Sequence, residues 1–168
     1  HVLEEHCDSN SKALKLANDF IKKNSKLRKV AKVKKMRGGK NSSKNKIVKP
    51  YRKSDTGRLH FSDYPDFKPN LTPKQIFQKG SFGGTYFRPI YCTVNKKDYK
   101  NIHKKYPQDW FKGLTHNELT RDYEDYDIKV NKYKVKVGLT LQDWQNYGWI
   151  NKLHPYGWVN WYCDFYMG

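Results

Sequence analysis

The sequence predicts a small α+β domain, mostly short helices around an aromatic core with a minor antiparallel sheet, preceded by a basic flexible arm. Three observations lead to that expectation. Composition changes near Ser54: all five Trp lie beyond it, whereas residues 22–53 hold 15 Lys/Arg and no acid. Helix start and stop signals bracket stretches of only two or three turns. One stretch, Tyr133 to Val137, alternates apolar and basic residues with the period of a half-buried strand whose wet face is lysine.

Along the chain, residues 1–24 place Ala13, Leu16, Ala17, Phe20 and Ile21 on one helical face, with Ser9, Asn10 or Ser11 as caps. That stripe is narrow, and such a helix needs a surface to pack on. Residues 25–53 form the arm: Gly38-Gly39 and the Lys/Asn/Ser run to Lys46 are too poor in apolar residues to build a core. The folded domain is assigned to residues 54–168. Thr72 suits an N-cap, Pro73 a first helical turn and Gly80 a stop. Gly83-Gly84 turns into an aromatic segment that Pro89 interrupts or confines to an edge. Residues 91–113 read as irregular with short helix, Trp110-Phe111 anchoring in the core. Thr140 with Asp143 forms a capping box for a helix ending at Gly148. In the last helix Trp158, Trp161, Tyr162 and Phe165 recur at i, i+3, i+4 and i+7.

Three aromatic-rich segments occur in a fixed order: Asp66 to Pro73, Gly83 to Ile90 (GGTYFRPI) and His154 to Tyr166 (HPYGWVNWYCDFY). Together they resemble an uncharacterised family of fungal, algal and giant-virus proteins, over roughly residues 63–168. The resemblance brings no established activity with it. In that family the aromatic helix is followed by an Arg- and Asp-rich extension, so the resemblance implies truncation at the C-terminus. His1 in place of an initiator Met likewise reads as a fragment or processed product.

The charge balance, 34 Lys+Arg against 16 Asp+Glu for a net +18, exceeds what solubility requires and points to a polyanionic partner, DNA or RNA. The phosphate-contacting set is Lys29, Lys32, Lys34, Lys35, Arg37, Lys40, Lys44, Lys46, Arg52 and Lys53, with Lys132, Lys134 and Lys136 as a second basic face. Each lysine near a phosphate releases condensed counterion, which gives salt-dependent affinity and little sequence information. The competing account is a solvated linker shaped by AT-rich coding, since 28 of the 34 basic residues are Lys. An acid-free run of this length goes beyond uniform bias. Lys32, Lys34, Lys35 and Arg37 also fit a nuclear-import cluster.

For base stacking, Tyr86, Phe87 and Arg88 are the candidates, because Gly83-Gly84 lets a ligand approach the backbone. Trp144, Trp149, Trp158 and Trp161 are assigned to the core. Gly80, Gly83 and Gly84 lack the Gly-Lys-Ser/Thr ending of a phosphate-cradling loop. His6-Cys7, Cys92-His103 and His154-Cys163 lack the grouping of a zinc site, and no cofactor motif is found. Three distant cysteines, Cys7, Cys92 and Cys163, read as reduced thiols. With no secretory signal and no apolar run near the ~20 residues of a membrane span, nucleus, cytoplasm or viral particle is expected.

The expected function is therefore non-enzymatic nucleic-acid binding. One alternative is a structural or interaction subunit of a larger, viral-type assembly. A second is a metal-dependent enzyme acting on nucleic acid, with Asp122, Glu124, Asp125 and Asp127 as ligands, which requires those carboxylates to converge from different elements.

Overall fold

The computed structural model describes residues 49–136 and 138–168. The helix expected over residues 9–23 and the arm from Lys29 to Lys46, with its import-type cluster and Cys7, lie outside the described residues. The described chain is a small α+β fold of four α-helices and two antiparallel two-stranded sheets around a large aromatic cluster. No helix among the described residues is long and apolar enough to cross a membrane.

The first element starts inside the stretch assigned to the arm. Strand β1 (Tyr51–Arg52) pairs with β2 (Leu59–His60), Tyr51 opposite His60 and Arg52 opposite Leu59. Arg52 ties this hairpin down, donating to the Gly57 carbonyl, to Asn70 O at 3.0 Å and to Gln75 Oε1 at 3.1 Å.

Helix α1 (Pro73–Gln78) follows the sequence signals closely. Thr72 Oγ1 accepts from Gln75 N at 3.1 Å, and Gln75 Oε1 accepts from Thr72 N at 2.9 Å, so two orphan donors are satisfied reciprocally. Strand β3 (Ile90–Cys92) begins directly after Pro89 and pairs with β4 (Lys97–Tyr99), Ile90 opposite Tyr99. This hairpin lies where irregular chain was expected, and its turn uses Lys96 at φ 52°. Two 3-10 turns, Ile102–Lys105 and Gln108–Phe111, and helix α2 (Asn117–Thr120) complete the middle of the chain. Helices α3 (Leu141–Asn146), capped by the Thr140–Asp143 box, and α4 (Trp158–Met167) close it.

The lysine-faced strand does not form. The described residues of 128–137 are turns and irregular backbone, with Lys134 at φ 54° and Tyr133 and Val135 more than half exposed. The physical reason lies in Asn131, whose Oδ1 accepts from Tyr133 N at 2.9 Å and whose Nδ2 donates to Val135 O at 2.7 Å. Those backbone groups are the ones a strand ladder would use.

Because aliphatic residues are few, the core is built from rings. Phe165 on α4 meets Phe61 edge-on at 4.9 Å and Phe67 at 5.3 Å, and Trp161 meets Phe67 at 5.6 Å. Phe87 joins this side of the molecule to α1 and the 3-10 turns, with Phe77 at 5.0 Å, Phe111 at 5.9 Å and Tyr156 at 6.0 Å. Trp110 stacks on Tyr106 at 5.5 Å, anchoring its turn as expected. Of the four Trp assigned to the core, Trp161 is buried, while Trp144, Trp149 and Trp158 are half-buried.

Helix α4 starts without a side-chain cap, because Gly157 at φ 81° sits where a Cβ would stand 2.5 Å from the Trp144 ring. Tyr86 does the capping from a distance. Its hydroxyl accepts from Asn160 N at 2.7 Å and donates to Tyr156 O at 2.7 Å.

Candidate nucleic-acid interface

The second basic face survives the loss of its strand, in another form. Asn131, 1% exposed, is the hub of a fixed loop: besides its own-loop bonds, its Nδ2 reaches the Tyr126 hydroxyl at 2.9 Å and Ser81 O at 3.3 Å. Lys132 N donates to Lys79 O at 2.8 Å, and Val130 O fills the space that a Cβ on Gly80 would take. The loop is thereby held on the end of α1. It exposes Lys129, Lys132, Lys134 and Lys136, none of which joins an ion pair among the described residues. Lys134 Nζ donates back to Lys129 O at 2.6 Å, so one of the four already has a partner within the loop.

Beside this loop lies a cavity of about 70 Å³ whose walls include Tyr86, Arg88, Tyr123, Leu141, Trp144 and Tyr156. Arg88 is half-buried, donates from Nη1 to Thr85 O at 3.0 Å and lies 5.4 Å over the Tyr123 ring. Burial pushes its guanidinium below the usual range, and the longer-range fields of Tyr156, Tyr123 and Glu124 oppose that. Lys136 Nζ lies 5.5 Å over the same Tyr123 ring, so cavity and lysine loop meet at Tyr123. Trp144 Nε1 is buried and has no acceptor among the described residues.

The three stacking candidates separate. Phe87 is 0% exposed and Tyr86 is spent on capping α4, so neither presents a ring face to a base. Tyr86 and Arg88 both line the cavity, but with both rings in the core Arg88 is the half-buried member of the trio. Arg52 is committed to the β1–β2 hairpin and Lys53 is exposed beside it. Tyr123, Asn131 and Trp144 carry no sequence signal as site residues, since each acquires its role from partners distant in the chain. Gly83 and Gly84 are buried, a Cβ on Gly83 overlapping the Tyr126 ring, as a turn requires and a phosphate cradle does not.

The acidic run does not converge on a metal geometry. Asp127 pairs with Arg121 at 3.0 Å and accepts from Lys129 N at 2.8 Å, and these bonds hold its carboxyl below the usual range. Among the described residues no three His, Cys, Asp or Glu are grouped to hold a metal ion. Cys92 and Cys163 are buried free thiols, and burial raises that of Cys163 far above the ordinary range, which makes it a poor nucleophile.

His154 turns to Asp164 instead, with Nε2 at 3.5 Å from Oδ2. Lys105 Nζ already holds that carboxylate at 2.9 Å, and burial pushes the His154 imidazole down to about 4. Burial lowers His103 too, with His116 and Lys104 adding to it. The unfolded chain therefore takes up these protons near pH 6.5 while the folded chain does not, so stability is full above that pH and declines toward pH 4. A loss of about 2 kcal/mol is expected from His154 between about pH 7 and about pH 4.5. Urea melts across that range check it, and His154→Gln should flatten the slope; an unchanged slope rejects the assignment.

Comparison with protein-family models, with curated proteins and with solved structures gives no match.

Proposed function

We propose that this chain is a non-enzymatic nucleic-acid-binding protein that grips phosphates through the lysine-rich segment 22–53 and, secondarily, through the exposed 129–136 loop. The observation that carries the proposal is the segregation of charge: 15 Lys/Arg without one acid in residues 22–53, followed in sequence by a domain with its own exposed lysine loop. A polyanion meets no like charge along either stretch, and binding releases counterions in proportion to the phosphates neutralised. The loop adds a fixed spacing of cations, because Asn131 sets its backbone.

A salt titration of the full chain on labelled single- and double-stranded DNA and RNA tests the proposal. Replacing Lys29, Lys32, Lys34, Lys35, Arg37, Lys40, Lys44 and Lys46 by Gln removes eight cations while sparing Arg52, which the β1–β2 hairpin needs. The slope of log K against log salt should fall by several units, at about 0.7–0.9 for each phosphate that the variant no longer neutralises. Affinity no better than that of a polylysine peptide of equal charge, or a slope unaffected by the substitutions, overturns it.

A second reading, a subunit of a larger assembly, draws on Ile128, Tyr133 and Val135, all exposed on or beside the lysine loop. Apolar side chains interleaved with lysine suit an acidic protein surface as well as a nucleic acid. The polylysine control separates the two, since an assembly subunit would not exceed it on nucleic acid.

A further inference from the structure

We infer that the cavity bordered by Arg88, Tyr123 and Trp144 is a binding site for a phosphomonoester, the terminal phosphate of a nucleic-acid strand. The inference deepens the phosphate-binding proposal and rests on it for the source of the phosphate, though not for the chemistry of the cavity.

The first ground is an excess of donors. A guanidinium carries five N–H donors. Among the described residues the side-chain hydrogen bond of Arg88 is the one from Nη1 to Thr85 O, and no carboxylate lies within ion-pair distance of it. Trp144 also lines the cavity, and its Nε1, a donor with no acceptor function, is buried without a partner among the described residues. A buried donor left unsatisfied is destabilising, and so are unused donors on a half-buried guanidinium whose counter-charge, Glu124, acts only from beyond ion-pair distance. Acceptor oxygens entering the cavity would partner the remaining donors of Arg88, so a fitting ligand is rich in acceptors and negatively charged.

The second ground is size. About 70 Å³ is roughly half the ~150 Å³ apolar cavity that admits benzene, which excludes a stacked nucleobase and leaves room for a group of a few heavy atoms. The third ground is charge. Arg88, which lines the cavity, and Lys136, which does not, both lie over the Tyr123 ring, at 5.4 and 5.5 Å, so two cations stand near the Tyr123 wall. Two cations match a dianionic monoester better than a single carboxylate or the monoanionic diester of an internal linkage. Arg is the side chain whose planar fork fits phosphate oxygens in pairs, and here its guanidinium carbon lies 5.4 Å over the Tyr123 ring. The strand behind the terminal phosphate would then run over Lys136 and Lys132.

The test compares one short single-stranded oligonucleotide carrying a 5′-phosphate, a 3′-phosphate or hydroxyls at both ends, with inorganic phosphate titrated separately and followed by NMR. On the full chain, a phosphorylated end should bind about 10-fold or more tightly than the hydroxyl form. Arg88→Gln should erase that difference between phosphorylated and hydroxyl ends. Trp144→Phe, which keeps a ring and removes the Nε1 donor, should reduce the difference several-fold, and thermal melts confirm that both variants fold. Binding of inorganic phosphate that Arg88→Gln abolishes, without any preference between oligonucleotide ends, would keep the phosphomonoester site and assign it to a free compound. Equal affinity for all three oligonucleotides, together with no Arg88-dependent phosphate shift, overturns the inference even if the oligonucleotides bind. Failure of every oligonucleotide to exceed polylysine would overturn the nucleic-acid proposal and leave the inorganic-phosphate arm to judge the cavity alone.

Discussion

Phe87→Ala is expected to lower the unfolding free energy by about 3–5 kcal/mol, a large part of the ~5–15 kcal/mol that ordinary domains possess. Phe87 is fully buried and its ring touches aromatic neighbours from α1, from both 3-10 turns and from the chain leading into α4, so truncation opens a cavity where those elements meet. Large rings on all sides cannot collapse into the gap without leaving their own neighbours, which places the loss at the upper end for such truncations. Urea denaturation followed by tryptophan fluorescence measures it. The result also decides between two roles, because a surface ring used for stacking would leave stability within about 0.5 kcal/mol and cost about 1–3 kcal/mol of binding instead. Weakened binding with unchanged stability would return Phe87 to the interface.

The elements that local chemistry determines are legible in the sequence. Thr72 with Gln75 and Thr140 with Asp143 each cap a helix using atoms three residues apart, so four letters suffice to place the start. The ring spacing of α4 is equally local, and burial of Trp161, Tyr162 and Phe165 follows from it. The failures come from partners far along the chain. Alternation after Tyr133 has the pattern of a strand, but the side chain of Asn131 redirects the backbone, and Asn131 is itself held by Ser81, fifty positions earlier. The β3–β4 turn escapes a sequence reading because Lys96 takes a left-handed conformation usually reserved for Gly or Asn.

The candidate site is legible in part and for an incomplete reason. Sequence groups Arg88 with Tyr86 and Phe87 as one stacking unit, yet the turn buries both rings in succession, and the guanidinium stays half-buried at the cavity. Nothing near Tyr123 or Trp144 in sequence marks them as its walls. Lys132, Lys134 and Lys136, expected as the wet face of a strand, are exposed on a clamped loop instead, so their exposure follows from the sequence and the element that presents them does not.

Gly80→Ala tests that clamp and should cost about 3 kcal/mol or more. Two effects add. At φ 57° a side chain meets the handedness penalty of about 1–2 kcal/mol, and the new Cβ would stand 2.1 Å from Val130 O and 2.8 Å from Val130 C. Those are backbone atoms, which no rotamer change can move aside. The bonds from Lys132 N to Lys79 O and from Asn131 Nδ2 to Ser81 O flank the collision, so relief requires the loop to lift from α1 and give both up. Gly113→Ala is the matched control: it has φ 84° with nothing within 4 Å, and carries the conformational penalty alone. Amide hydrogen exchange should then show Lys132 and Tyr133 losing protection in Gly80→Ala and keeping it in Gly113→Ala. Equal destabilisation of the two variants, with protection intact in both, would mean that the collision relaxes cheaply and that the lysine loop is not held by α1.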